Sequence, residues 1–245
     1  HQAFIDSCAK FPIRFMIVDD SGSMMTNDGH YLLDTKAGRK SVSCSRWKEL
    51  SESMKFHAHL AHLSDACTEF RLLNGAQPII IGNTPGVDKT VPNPSVDMFN
   101  AVLDGSPGGG TPLCSHIRAV ISQITEMAPQ LRANGHRAVV SISTDGESSD
   151  GNIADAMKPL QNLPVWVVIR LCTDDEKIVN YWNNIDAQLE LEMDVLDDLF
   201  GEAAEVRSGG HVQPVGIHLL LILTYCCHSL TVHIDILFIL TYCSY

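Results

Sequence analysis

Residues 15 to 25 of the chain, FMIVDDSGSMM, run from apolar side chains into two carboxylates and then two serines separated by a glycine. The apolar part, with the residues before it (PIRFMIV, 12 to 18), is typical of a buried strand. Asp19, Ser21 and Ser23 alternate directly after that strand, so a roughly extended chain would project their side chains to the same side. Three oxygen-bearing side chains are therefore predicted to converge at the end of a strand.

Around this stretch, short β-rich apolar runs alternate with longer amphipathic segments. Strands are predicted at 12–18, 68–73, 77–81, 137–143, 164–171 and 189–195, and helices at 45–66, 111–131, 152–162, 174–187 and from about 197. Such alternation predicts βαβ units with a right-handed crossover at every step. The expected fold is a three-layer, doubly wound α/β domain with a mostly parallel sheet and helices on both faces. Ligands bind such sheets at the carboxyl ends of the strands.

Local signals refine these boundaries. Ser45, Asn152 and Thr173 are the predicted N-caps of their helices. In the helix at 111–131, a proline follows Thr111, in the first turn where proline is tolerated. Residues 82–96 carry three prolines and predict a surface loop.

Composition limits the function classes. The net charge of −12 argues against a nucleic-acid partner, because such binding depends largely on Lys and Arg replacing counterions. The 8 cysteines form no CxxC pair, which indicates small core residues in a reducing compartment. No acceptor sequence for N-glycosylation is present. A cytoplasmic location is favoured.

The D-x-S-x-S pattern of Asp19, Ser21 and Ser23 resembles the metal-ion-dependent adhesion site of von Willebrand factor type A (vWA) domains. Two later stretches resemble the remaining motifs of that family: SPGGGTPL at 106–113 and SISTDGES at 141–148. The resemblance implies Thr111 and Asp145 as the further ligands, and it covers residues 11 to 208. It also implies a protein-binding module whose metal ion is reached by an Asp or Glu of a partner protein.

The chemistry of these residue types agrees with that resemblance. Two carboxylates and three hydroxyls form an oxygen-only ligand set, which suits Mg2+, with Mn2+ or Ca2+ as alternatives, and is poor for zinc or copper. The two negative charges only just balance a divalent ion, so the ion would remain electrophilic. Asp20 is expected to point away from the site, as a solvated carboxylate or as one that supports the ligands from outside.

An alternative function uses the same ion for catalysis. A metal-dependent hydrolase or phosphotransferase would employ the ion as a Lewis acid, with Glu147, Asp150 or His30 as the base. The sequence shows neither a second metal cage nor an activated nucleophile. The interpretation preferred here is therefore a binding module and not an enzyme.

The chain divides into an N-terminal extension at 1–10, the vWA-like domain at 11–208 and a hydrophobic tail at 209–245. The tail has one formally charged residue, Asp235, in its final 31 positions, and ILTYC occurs twice, at 222–226 and 239–243. Residues 215–234 reach the length of a membrane span only by including three histidines. Two hypotheses follow for the tail: it is a marginal membrane anchor, or it is a translated non-coding repeat. A membrane contact is expected only through residues 215–234.

Overall fold

The computed structural model describes residues 10–35, 38–84 and 86–196, and a sheet forms the middle layer of this part. Its strands, in chain order, are β1 Ile13–Val18, β2 Gly29–Thr35, β3 Gly38–Cys44, β4 Cys67–Leu72, β5 Ile79–Ile81, β6 Ala138–Thr144, β7 Val165–Leu171 and β8 Met193–Leu196. Six of them form one sheet in the order β5-β4-β1-β6-β7-β8. All neighbours in it are parallel except β4 and β5. The other two, β2 and β3, form an antiparallel hairpin.

Helices cover both faces of this sheet. They are α1 Arg46–Ser64, α2 Pro94–Leu103, α3 Leu113–Ala133, α4 Ile153–Met157 and α5 Glu176–Gln188. One apolar core joins α1 and α2 to one face, and a second core joins α3, α4 and α5 to the other. The predicted three-layer, mostly parallel α/β fold is confirmed.

Strand β1 lies at the centre and contributes to both cores. Phe15 and Ile17 pack into the core under α3, whereas Met16 and Val18 pack into the core under α1. A strand covered on both faces needs apolar residues at successive positions and not only at every second one. This explains the continuous apolar run that precedes Asp19.

The sheet changes winding direction between β1 and β6. After β1 the chain returns to the sheet at β4, on one side of β1, and later at β6, on the other side. The loops after β1 and β6 therefore leave the sheet edge in different directions and open a crevice between them. Asp19 follows β1 and Asp145 follows β6, so both predicted carboxylate ligands lie at this crevice.

Three parts of the fold differ from the sequence-based expectation. The predicted loop at 82–96 ends in a helix, because Pro94 occupies the first turn of α2 and the Asn93 side chain accepts from the Ser95 N–H at 2.9 Å. The β2–β3 hairpin was not predicted. The crossover expected between β4 and β5 is wrong, because β5 pairs antiparallel to β4 after a short turn.

The helix ends are mostly as expected. Ser45 and Asn152 cap α1 and α4, as predicted. The cap predicted at Thr173 is wrong: α5 begins two residues later, where Asp175 accepts from the Lys177 N–H at 2.9 Å. The predicted helix at 152–162 is α-helical only as far as Met157 and continues as a 3-10 turn, because Pro159 has no N–H to donate.

Several predictions fall on other parts of the chain. The helix from about 197, the tail at 209–245 and nearly all of the N-terminal extension lie outside the described residues. Within the described residues, no helix is both long and apolar enough to span a membrane.

Candidate metal centre

Asp19 is the most deeply buried of the predicted ligands. Its side chain is fully shielded from solvent, and its two carboxylate oxygens accept from the Ser21 N–H at 2.9 Å and from the Thr144 hydroxyl at 2.7 Å. Burial raises the pKa of Asp19, and the hydrogen bonds from Ser21 and Thr144 only partly offset this. A buried carboxylate of this kind gains most from a nearby positive charge.

The two serines lie between the two carboxylates. The chain does not stay extended, because a 3-10 turn covers Gly22–Met25, yet the two hydroxyl oxygens remain 3.0 Å apart. The Ser23 hydroxyl also donates to Asp145 Oδ1 at 2.9 Å, across 122 positions of sequence. Four of the five predicted ligands are thus connected: Asp19 through the Ser21 N–H, and the other three through side-chain oxygens.

The fifth predicted ligand, Thr111, is held in place by hydrogen bonds of its backbone. It lies in the threonine loop, residues 105–112, whose Gly108 N–H donates to the Asp20 carbonyl at 2.7 Å and whose Gly109 carbonyl accepts from Gly22 at 3.3 Å. The Thr111 N–H donates to the Ser149 hydroxyl at 3.1 Å, and the Ser149 N–H donates back to the Thr111 carbonyl at 2.8 Å. The threonine loop is therefore attached both to the loop after β1 and to the loop after β6.

Asp20 fits the second of its two expected roles, a carboxylate that supports the ligands from outside. It is not solvated: it is 8% exposed, and its Oδ1 accepts from the backbone and side-chain N–H groups of Asn74 at 2.8 and 2.9 Å. The Asn74 amide also donates to the Gly110 carbonyl at 2.9 Å. Asp20 and Asn74 together connect the end of β4 to the threonine loop.

This connection leaves no room for a side chain at Gly109. Its φ of 96° is one that L-residues rarely adopt, and an added Cβ would overlap the Asn74 side chain, which Asp20 holds in place. We expect Gly109→Ala to lower the free energy of unfolding by about 1–3 kcal/mol, measured by urea denaturation. Gly108→Ala is the matched control, because a Cβ there meets nothing within 4 Å. Equal stability of the two variants would contradict this description of the loop.

Asp150 caps helix α3 from another loop. Pro112 precedes that helix and provides no side-chain cap, and instead the Asp150 carboxylate accepts from the N–H groups of Cys114 and Ser115, both at 2.9 Å. Burial opposes ionisation of Asp150, but hydrogen bonds from Ser115, Ser148 and these N–H groups outweigh it and lower its pKa to about 2. The cap is therefore ionised at neutral pH, and it fixes the segment that directly follows Thr111.

Arg46 also contacts the site, although no sequence motif marks it. Its Nη1 donates to Asp145 Oδ2 at 2.9 Å, and its Nε donates to Asp28 Oδ1 at 2.7 Å, with a further bond from Nη2 to Asp28 Oδ2. The hydrogen bond from Arg46 lowers the pKa of Asp28, and bonds to Asp28 and Asp145 raise that of Arg46. Only its position at the first turn of α1, beside the loop after β1, hints at this contact.

The oxygens that are present fit a small divalent cation. Metal–oxygen distances of about 2.0–2.1 Å at right angles place neighbouring ligand oxygens about 2.9 Å apart. The Ser21–Ser23 and Ser23–Asp145 oxygen pairs, at 3.0 and 2.9 Å, match that spacing. The described part of the chain contains no group of three or more His, Cys, Asp or Glu side chains able to hold a metal ion. The predicted set has only two such side chains, because its other three members are hydroxyls.

Comparison with known proteins gives distant structural similarity only. No protein-family model matches the sequence, and no curated protein matches it. The chain is similar to an aerotolerance-related membrane protein from Bacteroides fragilis at 14% identity and a TM-score of 0.35, covering 65% of this chain and 66% of that one. It is also similar to the conserved hypothetical protein BatB from Bacteroides thetaiotaomicron at 15% identity and a TM-score of 0.43, covering 80% and 95%. Similarities this distant do not identify a ligand or an activity.

Proposed function

We propose that the chain is a protein-interaction module of the vWA type. It binds a divalent cation, Mg2+ in the first instance, and uses it to bind an Asp or Glu of a partner protein. The proposed ligands are Asp19, Ser21, Ser23, Thr111 and Asp145. The observation that carries this proposal is the Ser23 hydroxyl, which lies within 3.0 Å of both Ser21 Oγ and Asp145 Oδ1, although Asp145 is 122 positions away in sequence.

Each residue type has a distinct part in this function. The Asp19 and Asp145 carboxylates supply the negative charge that holds the ion, and the hydroxyls add neutral oxygens. Ser23 is exposed at the surface, as are Gly108 to Gly110 of the threonine loop, so a partner can reach the site without rearrangement of the sheet. The ion, when bound, supplies an electrophilic position for one oxygen of the partner's carboxylate.

The structural role of Asp150, one of the candidate bases, favours binding over catalysis. Of the three candidate bases, Asp150 has both carboxylate oxygens engaged by N–H groups of helix α3, and Glu147 is exposed to solvent. The third, His30, lies in strand β2, where its backbone N–H donates to Glu49 Oε2 at 2.9 Å. We propose no catalytic role for any of them.

A random-peptide display library tests this function without a known partner. We expect peptides selected on the immobilised chain in Mg2+ to be enriched in Asp or Glu, and to be released when EDTA removes the ion. Ser23→Ala should lose these peptides, whereas Ser95→Ala, a serine on α2 outside the site, should retain them. Selection of peptides that lack carboxylates, or that bind equally in EDTA, would contradict the proposal.

A further inference from the structure

The guanidinium of Arg46 lies where it interacts with a proposed metal ligand. It bonds to Asp145 through Nη1 and to Asp28 through Nε and Nη2, and the Arg46 backbone N–H donates to the Thr26 carbonyl at 3.0 Å. The side chains of Arg46 and Asp145 are only 14% and 2% exposed. The ion pair is therefore shielded from solvent, where salt screens it little.

Both oxygens of Asp145 are consequently in use. Oδ1 accepts from Ser23, and Oδ2 accepts from Arg46. A divalent ion that binds Asp145 must share its negative charge with the guanidinium or displace it. The ligand set carries two formal negative charges, those of Asp19 and Asp145. The positive charge of Arg46, which Asp28 shares, offsets part of the charge that holds the ion.

We propose that Arg46 weakens cation binding in the isolated domain, and that the carboxylate of a bound partner strengthens it. This inference rests on the proposed function. The partner's carboxylate restores the negative charge that Arg46 offsets, so cation and partner bind cooperatively. By thermodynamic linkage, each raises the affinity of the other by the same factor.

Calorimetric titration of Mg2+ into the full chain tests this role. Arg46→Met removes the charge and retains most of the apolar stem, and we expect it to bind Mg2+ about tenfold more tightly, because it removes a charged competitor for Asp145. Lys48→Met is the matched control. It makes the same charge change two residues further along α1, at a residue that pairs with Glu52, and should alter the affinity less than about twofold.

A second variant separates this role from a purely structural one. Arg46→Lys retains the charge but loses the fork that holds Asp28 and Asp145 at the same time, so its Mg2+ affinity should lie between those of the parent and Arg46→Met. If Arg46→Met does not fold, the Mg2+ affinity of Arg46→Lys still tests the inference.

The outcomes distinguish this inference from the proposed function. The inference is overturned if the parent binds Mg2+ and the folded Arg46 variants bind it no more tightly. The proposed metal site is still supported in that case, provided that Asp19→Asn does not bind Mg2+. If neither the parent nor a folded Arg46 variant binds Mg2+, the proposed function fails and the inference fails with it. Tighter binding in Arg46→Met, with Lys48→Met unchanged, supports both.

Discussion

Asp19→Asn is expected to abolish measurable Mg2+ binding while leaving the metal-free fold at least as stable as the parent. The amide can keep both hydrogen bonds of Asp19: its oxygen can accept from the Ser21 N–H, and its NH2 group can donate to the Thr144 hydroxyl. The substitution removes a fully buried negative charge, whose burial opposes folding, and raises no steric conflict. It also removes half of the formal charge that would hold the ion.

Two measurements check this prediction. Calorimetry should show Mg2+ affinity reduced at least about a hundredfold, since even residues that only orient metal ligands contribute 10- to 100-fold. Urea denaturation in EDTA should show an unfolding midpoint equal to or above that of the parent. Asp97→Asn, on the exposed side of α2, makes the same charge change outside the site and should bind Mg2+ normally. Normal Mg2+ binding by Asp19→Asn would remove Asp19 from the site.

Trp182→Ala is expected to cause the largest loss of stability among the changes considered. Trp182 is fully buried in the core between α5 and the sheet, and its Nε1 donates to the Gly146 carbonyl at 3.3 Å. Replacement by alanine leaves a large cavity and costs about 3–5 kcal/mol. Because Gly146 directly follows Asp145, we also expect weaker Mg2+ binding in the protein that remains folded.

Trp182→Phe separates packing from the hydrogen bond. It retains an aromatic ring but removes the indole N–H, and we expect a smaller loss, about 1–2 kcal/mol. The free energies of unfolding come from urea titrations monitored by far-UV circular dichroism. If alanine and phenylalanine cost the same, the burial of this side chain is not what stabilises α5 on the sheet.

The sheet could be predicted from sequence because its signal is local and periodic. Strand β1 is apolar at successive positions, and residues of α1 such as Trp47, Leu50 and Met54 recur at helical spacing and are buried as expected. The signals that misled are equally local. Pro94 belongs to a group of prolines that is typical of a loop, yet proline is also favoured in the first turn of a helix.

The site could be predicted only where its residues form patterns along the chain. Asp19, Ser21 and Ser23 alternate over five positions, whereas Arg46 and Asn74 stand alone in their segments. Arg46 meets Asp145 across 99 positions, and Asn74 meets Asp20 across 54, so both contacts depend on the packing of α1 and β4 against β1. A side chain that reaches the site only through tertiary packing has no regular spacing in the sequence from the other site residues. It therefore cannot be recognised from a motif.

The most direct test of the central claim is anomalous scattering from crystals of the chain grown with Mn2+, an ion that prefers the same oxygen ligands as Mg2+. The account predicts one strong anomalous peak between the loops after β1 and β6, within bonding distance of the Ser21 and Ser23 hydroxyls, and no such peak in crystals of Asp19→Asn. A well-ordered site with no peak, or a peak bound to other residues, would contradict it.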